Sequence, residues 1–517
     1  MNYDPNKLSS DFLKISPEFK LGHLPTEQRH KDTMRLSELA KSDLHTAIDI
    51  LKNIDLSAID IIKSKIPQIL KLRKAINDTL NNNKCVYFCG CGSTGRLSIS
   101  LEVLWRTIKS DHKHINNVIG LMAGGDTALI SAIEDFEDHA EFAHTHLKQL
   151  GFKNGDLLIA STEGGETPFV IGCVEYALKK TNINPWFVYC NPDEILINTI
   201  ERSKNIITNN LVSKLNLNTG PMALCGSTRM QASTVIMYAL GIALFESSTE
   251  IDSIQYLDNF KNFLSTQNYS FLADFIKAES NIYKNDEYIH YFTKNYGITV
   301  LTDTAERAPT FNLLPFENIF AKNFTPSKCY LSIENEVSIK NSWTKVLLRH
   351  PRVLSWNQYE KTSLKTLYGY DLSINSKKRR QNKLQGSSIN NFYINKSNNY
   401  ELCFSLNNLI NNIFIKNLSL LEEHLFLKML LNIHSTLVMG RMDRYYGNLM
   451  TWVKPSCNKL IDRAIRYIQF LAKNNNIKFT YEEICLELFK QLHNYDLQKP
   501  IVIKTLNALG ITPRNLD

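Results

Sequence analysis

Gly90, Gly92 and Gly95 space a turn that also carries Ser93 and Thr94, with Arg96 directly behind it. Glycines let a backbone approach a ligand, hydroxyls donate hydrogen bonds, and a helix starting at the turn aims partial positive charge at the same spot. The pattern predicts a bound phosphate. Gly226-Ser227-Thr228-Arg229 repeats the theme at the entry to a second apolar helix, although taken alone it also reads as an ordinary Ser/Thr helix cap. Two further stretches carry groups able to move protons. One holds Glu134, Asp135, Glu137 and Asp138, read as lying on one helix, where Glu134 and Glu137 share a face and Asp135 and Asp138 share another. Most of these must be solvated, and one aimed into a pocket could serve as a general base. The other is residues 302–311, with Asp303, Glu306 and Arg307.

Gly90, Gly92 and Gly95 also fit the spacing of a dinucleotide-binding turn. That chemistry wants an acidic residue at the end of the following strand to hold a ribose. The following strand, 117–123, runs into Ala123-Gly124-Gly125, so the acid is missing. Ser93 and Thr94 inside the turn favour a phosphate monoester instead.

Positioning these groups needs alternating elements. Residues 1–35 are polar and read as irregular, and 36–80 show helical apolar spacing. Strands are expected at 85–89, 117–123, 156–161 and 186–190, with helices at 98–109, 127–150 and 167–180 between them. This alternation predicts a parallel sheet covered on both faces, with ligands bound beyond the strand C-terminal ends. The loops at 90–95, 124–126, 161–167 and 226–229 should gather there. Helices are expected at 222–245 and 264–284. A second, less regular alternation offers strands at 298–301, 329–333 and 353–356. Residues 377–412, rich in Asn, Ser and Lys, read as a long loop or an eroded element. Helices at 418–442, 458–473, 480–493 and 500–509 complete the chain.

At 517 residues, two or three domains are expected. A hydrophobic content of 43% and a charged content of 21% fit a globular protein, and the net charge of +8 is modest for the size. Lys377-Lys378-Arg379-Arg380 reads as a solvated loop rather than a nuclear signal or polyanion contact. The N-terminus lacks a signal-peptide pattern, and the longest apolar run, 235–245, falls well short of the roughly 20 residues of a membrane span. The expectation is a cytoplasmic protein with no nucleic-acid or membrane partner and ten reduced cysteines. Cys89 and Cys91 have no second Cys or His pair nearby, so no metal site is expected there.

Taken in order, these segments resemble the sugar isomerase (SIS) domain family, in the branch holding N-acetylmuramic acid 6-phosphate etherases and the glucokinase regulatory protein. Residues 90–97 resemble its first phosphate loop. Residues 120–126 followed by 132–138 resemble its Ala-Gly-Gly turn and acidic helix. Thr167-Pro168-Phe169-Val170 and Gly226-Ser227-Thr228-Arg229-Met230 follow, and 431–436 with 446–450 are similar to its closing helical motif. The resemblance spans about residues 85–455 and implies two tandem flavodoxin-like SIS domains, each a parallel sheet flanked by helices, plus a helical cap. The implied division is an irregular segment at 1–35, a first SIS domain at 36–285, a second with a degenerate phosphate loop at 286–420, and a helical C-terminal region at 421–517.

The resemblance also implies roles. Glu137 falls where the etherases carry their general base. The place of their acid holds Leu104 in the first half, but Ala305-Glu306-Arg307-Ala308-Pro309-Thr310-Phe311 resembles the acid stretch in the second, which makes Glu306 the acid. Gln231 and Met237 replace lysines expected in the first half, while Lys428 matches the second of them. One composite site is expected, with Gly92, Ser93, Thr94, Gly95, Thr167, Ser227, Thr228, Arg229 and Lys428 binding substrate and its phosphate. No metal or organic cofactor is implied. The activity implied is an etherase-type lyase acting on N-acetylmuramic acid 6-phosphate or a related amino-sugar phosphate. The alternative is a non-catalytic sugar-phosphate sensor that regulates a sugar kinase, and a phosphosugar isomerase is implied only by the wider family. One departure stands out: Glu163 and Glu166 occupy the third loop, where the etherases carry a Ser-Gly-Arg-like sequence. A carboxylate a few Å from a phosphate costs on the order of 1–4 kcal/mol.

Overall fold

The computed structural model describes residues 3–111, 113–131, 133, 136–245, 249–354, 356, 360–455, 457–493 and 499–512. Five short strands form the first sheet: β1 (Val86–Gly90), β2 (Val118–Met122), β3 (Leu157–Ser161), β4 (Trp186–Tyr189) and β5 (Ser213–Asn216). All pair in parallel, in the order β2-β1-β3-β4-β5. This is a doubly wound, flavodoxin-like order, whose switch point lies between β1 and β3. Strands β1 to β4 are buried throughout, as expected for a sheet covered on both faces. The fifth strand, at the sheet edge, escapes a hydropathy reading because only Leu215 of its four residues is buried.

The second sheet holds β6 (Tyr288–Thr293), β7 (Cys329–Ile333), β8 (Ile389–Lys396), β9 (Glu401–Leu406) and β10 (Leu409–Phe414), ordered β10-β9-β8-β6-β7. Its β7-β6-β8 part is parallel and repeats the order of β2-β1-β3. After β8 the chain turns back twice to form an antiparallel meander. This half is therefore a truncated version of the first, mixed rather than purely parallel.

Several local expectations fail here. Residues 298–301 are not a strand but lie in the Gly297–Phe311 helix, whose Ile298, Val300 and Leu301 are buried in the core. Packing outweighs the β preference of that branched run. Residues 353–354 and 356 form no strand. Residues 377–412 are neither loop nor eroded: they hold the Asn375–Lys383 helix and three strands. In β9, Leu402, Phe404 and Leu406 alternate inward between half-buried neighbours. The basic run sits on the Asn375–Lys383 helix, where Arg380 is buried against Glu317 and Arg379 pairs with Asp371. Residues 5–15 of the N-terminal segment form the Pro5–Ile15 helix, capped by Asp4 and packed on the Tyr481–His493 helix.

The core between the sheets is helical. The Leu44–Lys63, Ile66–Asn81 and Gln231–Phe245 helices pack together. The Leu420–Arg441 helix packs on the Leu44–Lys63 and Gln231–Phe245 helices of this group and also touches the Leu272–Lys284 and Gly297–Phe311 helices. At one crossing, a Cβ on Gly241 would lie 2.5 Å from Leu421 Cδ2, so a larger residue would force the helices apart. Among the described residues, no helix is long and apolar enough to cross a membrane.

Candidate active site

Three helix N-termini converge beyond the C-terminal ends of the first sheet. The turn after β1 opens the Gly92–Ile108 helix, Thr167 opens the Pro168–Lys180 helix, and residues 226–230 lead into the Gln231–Phe245 helix. Between them lies an open cleft with a cavity volume of about 150 Å³. The glycines of the first turn have separate tasks. A Cβ on Gly90 would lie 2.3 Å from the Thr94 carbonyl carbon, and one on Gly95 would lie 2.5 Å from Met122 Cγ. Gly92 has φ +53° and open space where a Cβ would stand, on the cleft wall. Thus Gly90 and Gly95 serve close packing and only Gly92 fronts the cleft.

Glu137 and Glu306, 169 positions apart in the chain, line this same cleft, together with Ser93, Thr167, Ser227, Thr228 and Arg229. Glu306 is 6% exposed. Its Oε1 accepts from Ser93 Oγ at 3.0 Å and from Arg96 Nη1 at 2.8 Å. Arg96 is fixed in turn by the carbonyls of Ala128 and Leu129. Glu137 sits in a turn ahead of the Ala140–Gln149 helix, not on a helix with Asp138, and its backbone carbonyl accepts from Phe169 N at 3.1 Å. Glu134 and Asp135 lie outside the described residues. Asp138 is turned toward Asn458, and burial, then the neighbouring Glu137 charge, raises its carboxyl to about 6.

Other expected binders are placed differently. The Thr94 hydroxyl donates to the Cys91 carbonyl and accepts from the Cys91 amide, so it shapes the turn instead of facing the cleft. Arg229 turns Nη1 to Asp303 Oδ1 at 3.0 Å and Nη2 to Ser435 and Thr436, leaving its buried Nε without a partner among the described residues. Lys428 does not line the cleft. Its ammonium caps the carbonyls of Arg229 and Met230 and meets Thr234 and Asn432, at 2.8–3.4 Å. It borders a smaller inner cavity of about 30 Å³, whose wall also holds Ser93, Arg229 and Glu306. The loop at 124–126 is also elsewhere: Asp126 pairs with Arg349 and accepts from the Arg352 amide, tying the two halves together.

The third-loop carboxylates part company. Glu166 points away from the cleft to Arg202 at 2.8 Å and Lys459 at 3.4 Å. Burial opposes its charge, but those two cations hold its carboxyl below the usual range. Glu163 does line the cleft, accepts from Ser233 Oγ at 2.9 Å, and is pushed up to about 7 by burial. Glu163, one of three carboxylates lining the cleft, is thus partly protonated near neutrality, which lowers its repulsion of a bound phosphate.

Sequence reasoning missed the roof. Lys459 and Arg463, from the Asn458–Asn474 helix, line the cleft. Lys459 lies 3.3 Å from Glu137, and although burial disfavours its charge, Glu137 and Glu166 hold the ammonium well above its usual value. Arg463 pairs with Glu27 at 2.6 Å, and Arg466 joins the same carboxylate at 3.0 Å. Nothing in the sequence marks Lys459, which looks like any polar residue opening an amphipathic helix.

A doubly wound sheet with helix N-termini aimed at a carboxylate-lined cleft defines an SIS-type α/β protein. Residues 68–178 match the family model of the glucokinase regulatory protein N-terminal SIS domain. N-acetylmuramic acid 6-phosphate etherase from Staphylococcus epidermidis is 30% identical over 214 residues, 41% of this chain and 67% of that one. The Prochlorococcus marinus protein of the same name is 30% identical over 233 residues, 45% of this chain and 68% of that one. The chain belongs to the SIS-domain family, in the branch of the N-acetylmuramic acid 6-phosphate etherases and the glucokinase regulatory protein.

Proposed function

We propose that the protein is an etherase-type lyase acting on N-acetylmuramic acid 6-phosphate or a closely related amino-sugar phosphate. The observation that carries this reading is the meeting of Glu137 and Glu306 in one cleft floored by three helix N-termini. The Gly92 backbone, Ser227, Thr228 and Thr167 hold the phosphate, where partial positive charge from the helix ends adds to their hydrogen bonds. Glu137 takes the proton from the carbon beside the sugar's opened carbonyl. The ether C–O bond then breaks, its electron pair leaves with the lactate oxygen, and Glu306 protonates that oxygen. Ser93 and Arg96 both engage Oε1 of Glu306 and leave Oε2 without a partner among the described residues. Lys459 keeps Glu137 oriented before the reaction.

Incubation of the protein with N-acetylmuramic acid 6-phosphate releases lactate on this reading. Glu137→Gln lowers the rate by roughly 10²–10⁴-fold, as loss of a general base does. An absence of lactate from wild-type protein, measured by lactate dehydrogenase coupling, would overturn the assignment. The family model that matches residues 68–178 is named for a kinase regulator, so a non-catalytic sugar-phosphate sensor is the second reading. A sensor releases no lactate but retains a sugar kinase in a ligand-dependent manner in pull-downs.

A further inference from the structure

The second half has a cavity of its own, and the lyase reading leaves it without a role. It has a volume of about 510 Å³ and lies at the C-terminal ends of all three parallel strands of the second sheet. Lys294 to Gly297 follow β6, Ile333 ends β7, and Lys396 ends β8. In the first sheet the turn after β1, which lies between β2 and β3, fronts the etherase cleft, and here the turn after β6, between β7 and β8, occupies the matching place. The 15-residue Gly297–Phe311 helix starts there and presents its N-terminus to the cavity.

The charge of the lining is lopsided. Arg106, Lys294, Lys345 and Lys396 face it, against one carboxylate, Glu423. Glu423 is spent on Lys396, and Arg106 on Glu102 and Asn116. Lys294 and Lys345 have no ion-pair partner among the described residues, so two positive charges are left over. One buried polar side chain also looks into this space. His424 is 5% exposed, and its Nδ1 lies 2.7 Å from Thr299 Oγ1. Its Nε2 has no hydrogen-bond partner among the described residues. In the tautomer where the Thr299 hydroxyl donates to Nδ1, Nε2 carries the ring hydrogen and can donate to an anion.

We propose that this cavity is a second anion site that takes a phosphate monoester, held by Lys294, Lys345, His424 and the start of the Gly297–Phe311 helix. His424 also lines the inner cavity whose wall carries Ser93 and Glu306, so an occupant here touches the partition behind the etherase cleft. The site is therefore placed to act as an effector site, and it does not depend on the lyase assignment.

The test is equilibrium dialysis of the full chain against radiolabelled inorganic phosphate, read as the number bound per chain. Wild type is expected to bind two. Lys294→Ala/Lys345→Ala, both at the surface where folding is not at stake, is expected to weaken one of the two about tenfold or more. Ser227→Ala/Thr228→Ala is expected to weaken the other. One phosphate per chain that is lost in the lysine variant supports this site and counts against phosphate binding in the etherase cleft. One phosphate that is lost only in the Ser227/Thr228 variant, or none bound at all, overturns the second site.

Discussion

Glu163 and Glu166 stand three residues apart and are held in opposite states. The difference is one of neighbours: Glu166 has two cations within 3.4 Å, whereas Glu163 has a serine hydroxyl. Burial raises the Glu163 carboxyl from 4.5 to about 7. The folded protein therefore keeps a proton that the unfolded chain gives up between those values. This costs nothing below about pH 4.5 and weakens the fold as pH rises toward 7. Glu163→Gln should accordingly gain about 3 kcal/mol over wild type between about pH 4 and about pH 8, by the conversion of pKa shift to free energy. Urea unfolding at the two pH values reads this directly, and an equal effect at both would show that Glu163 is charged in the fold. Glu137 and Glu306 were legible only through the motifs around them. Their spacing carries no signal of its own, because the two become neighbours only when the halves dock.

At the level of elements, the roof over the cleft depends on a latch. Glu27 lies in a short turn near the N-terminus, yet it binds Arg463 and Arg466 of the Asn458–Asn474 helix. Burial alone would raise its carboxyl, but Arg463 and Arg466 hold it down to about 2. The latch stabilises the fold fully above the ordinary value of 4.5 and is lost as pH falls from there toward 2. Glu27→Gln leaves two guanidinium groups short of a partner and should cost about 3–5 kcal/mol near neutrality. Limited proteolysis should then cut the Asn458–Asn474 helix faster than in wild type, and unchanged cutting would mean the roof is held by apolar packing alone. The latch also presses on the phosphate turn. Gly226 has φ +70°, and a Cβ there would lie 2.8 Å from Arg463 Nε. The Leu44–Lys63 helix could be read from its apolar periodicity, and Leu420–Arg441 from its long, largely apolar run. The strands β8 to β10 could not, because their Asn and Ser content masks an alternation visible in Leu402, Phe404 and Leu406. The latch joins residues more than 400 apart, a relation that no local pattern carries.

For the whole molecule, the halves are bound by charge as well as by apolar packing. Asp303 joins Arg229 of the first half to Arg307 of the second, and Arg307 reaches Glu279. Arg349 joins Asp126 to Glu102 from the other side. The Leu420–Arg441 helix runs through the middle with residues of both halves against it. Unfolding one half would strand these buried ions without partners, so the two should melt together. Calorimetry is expected to show one transition, and two resolved transitions would mean the halves are energetically independent. The tandem plan was legible from the order of motifs, whereas the truncation of the second sheet after three parallel strands was not.

The meeting of Glu137 and Glu306 within a single chain also has a genetic meaning. Where two carboxylates of a site come from separate subunits, a damaged copy of the protein drags intact copies into dead assemblies. On the lyase reading, each polypeptide carries its own pair in one cleft. A cell with one sound and one faulty allele should therefore keep half of its working sites, and loss of either carboxylate should behave as a recessive trait.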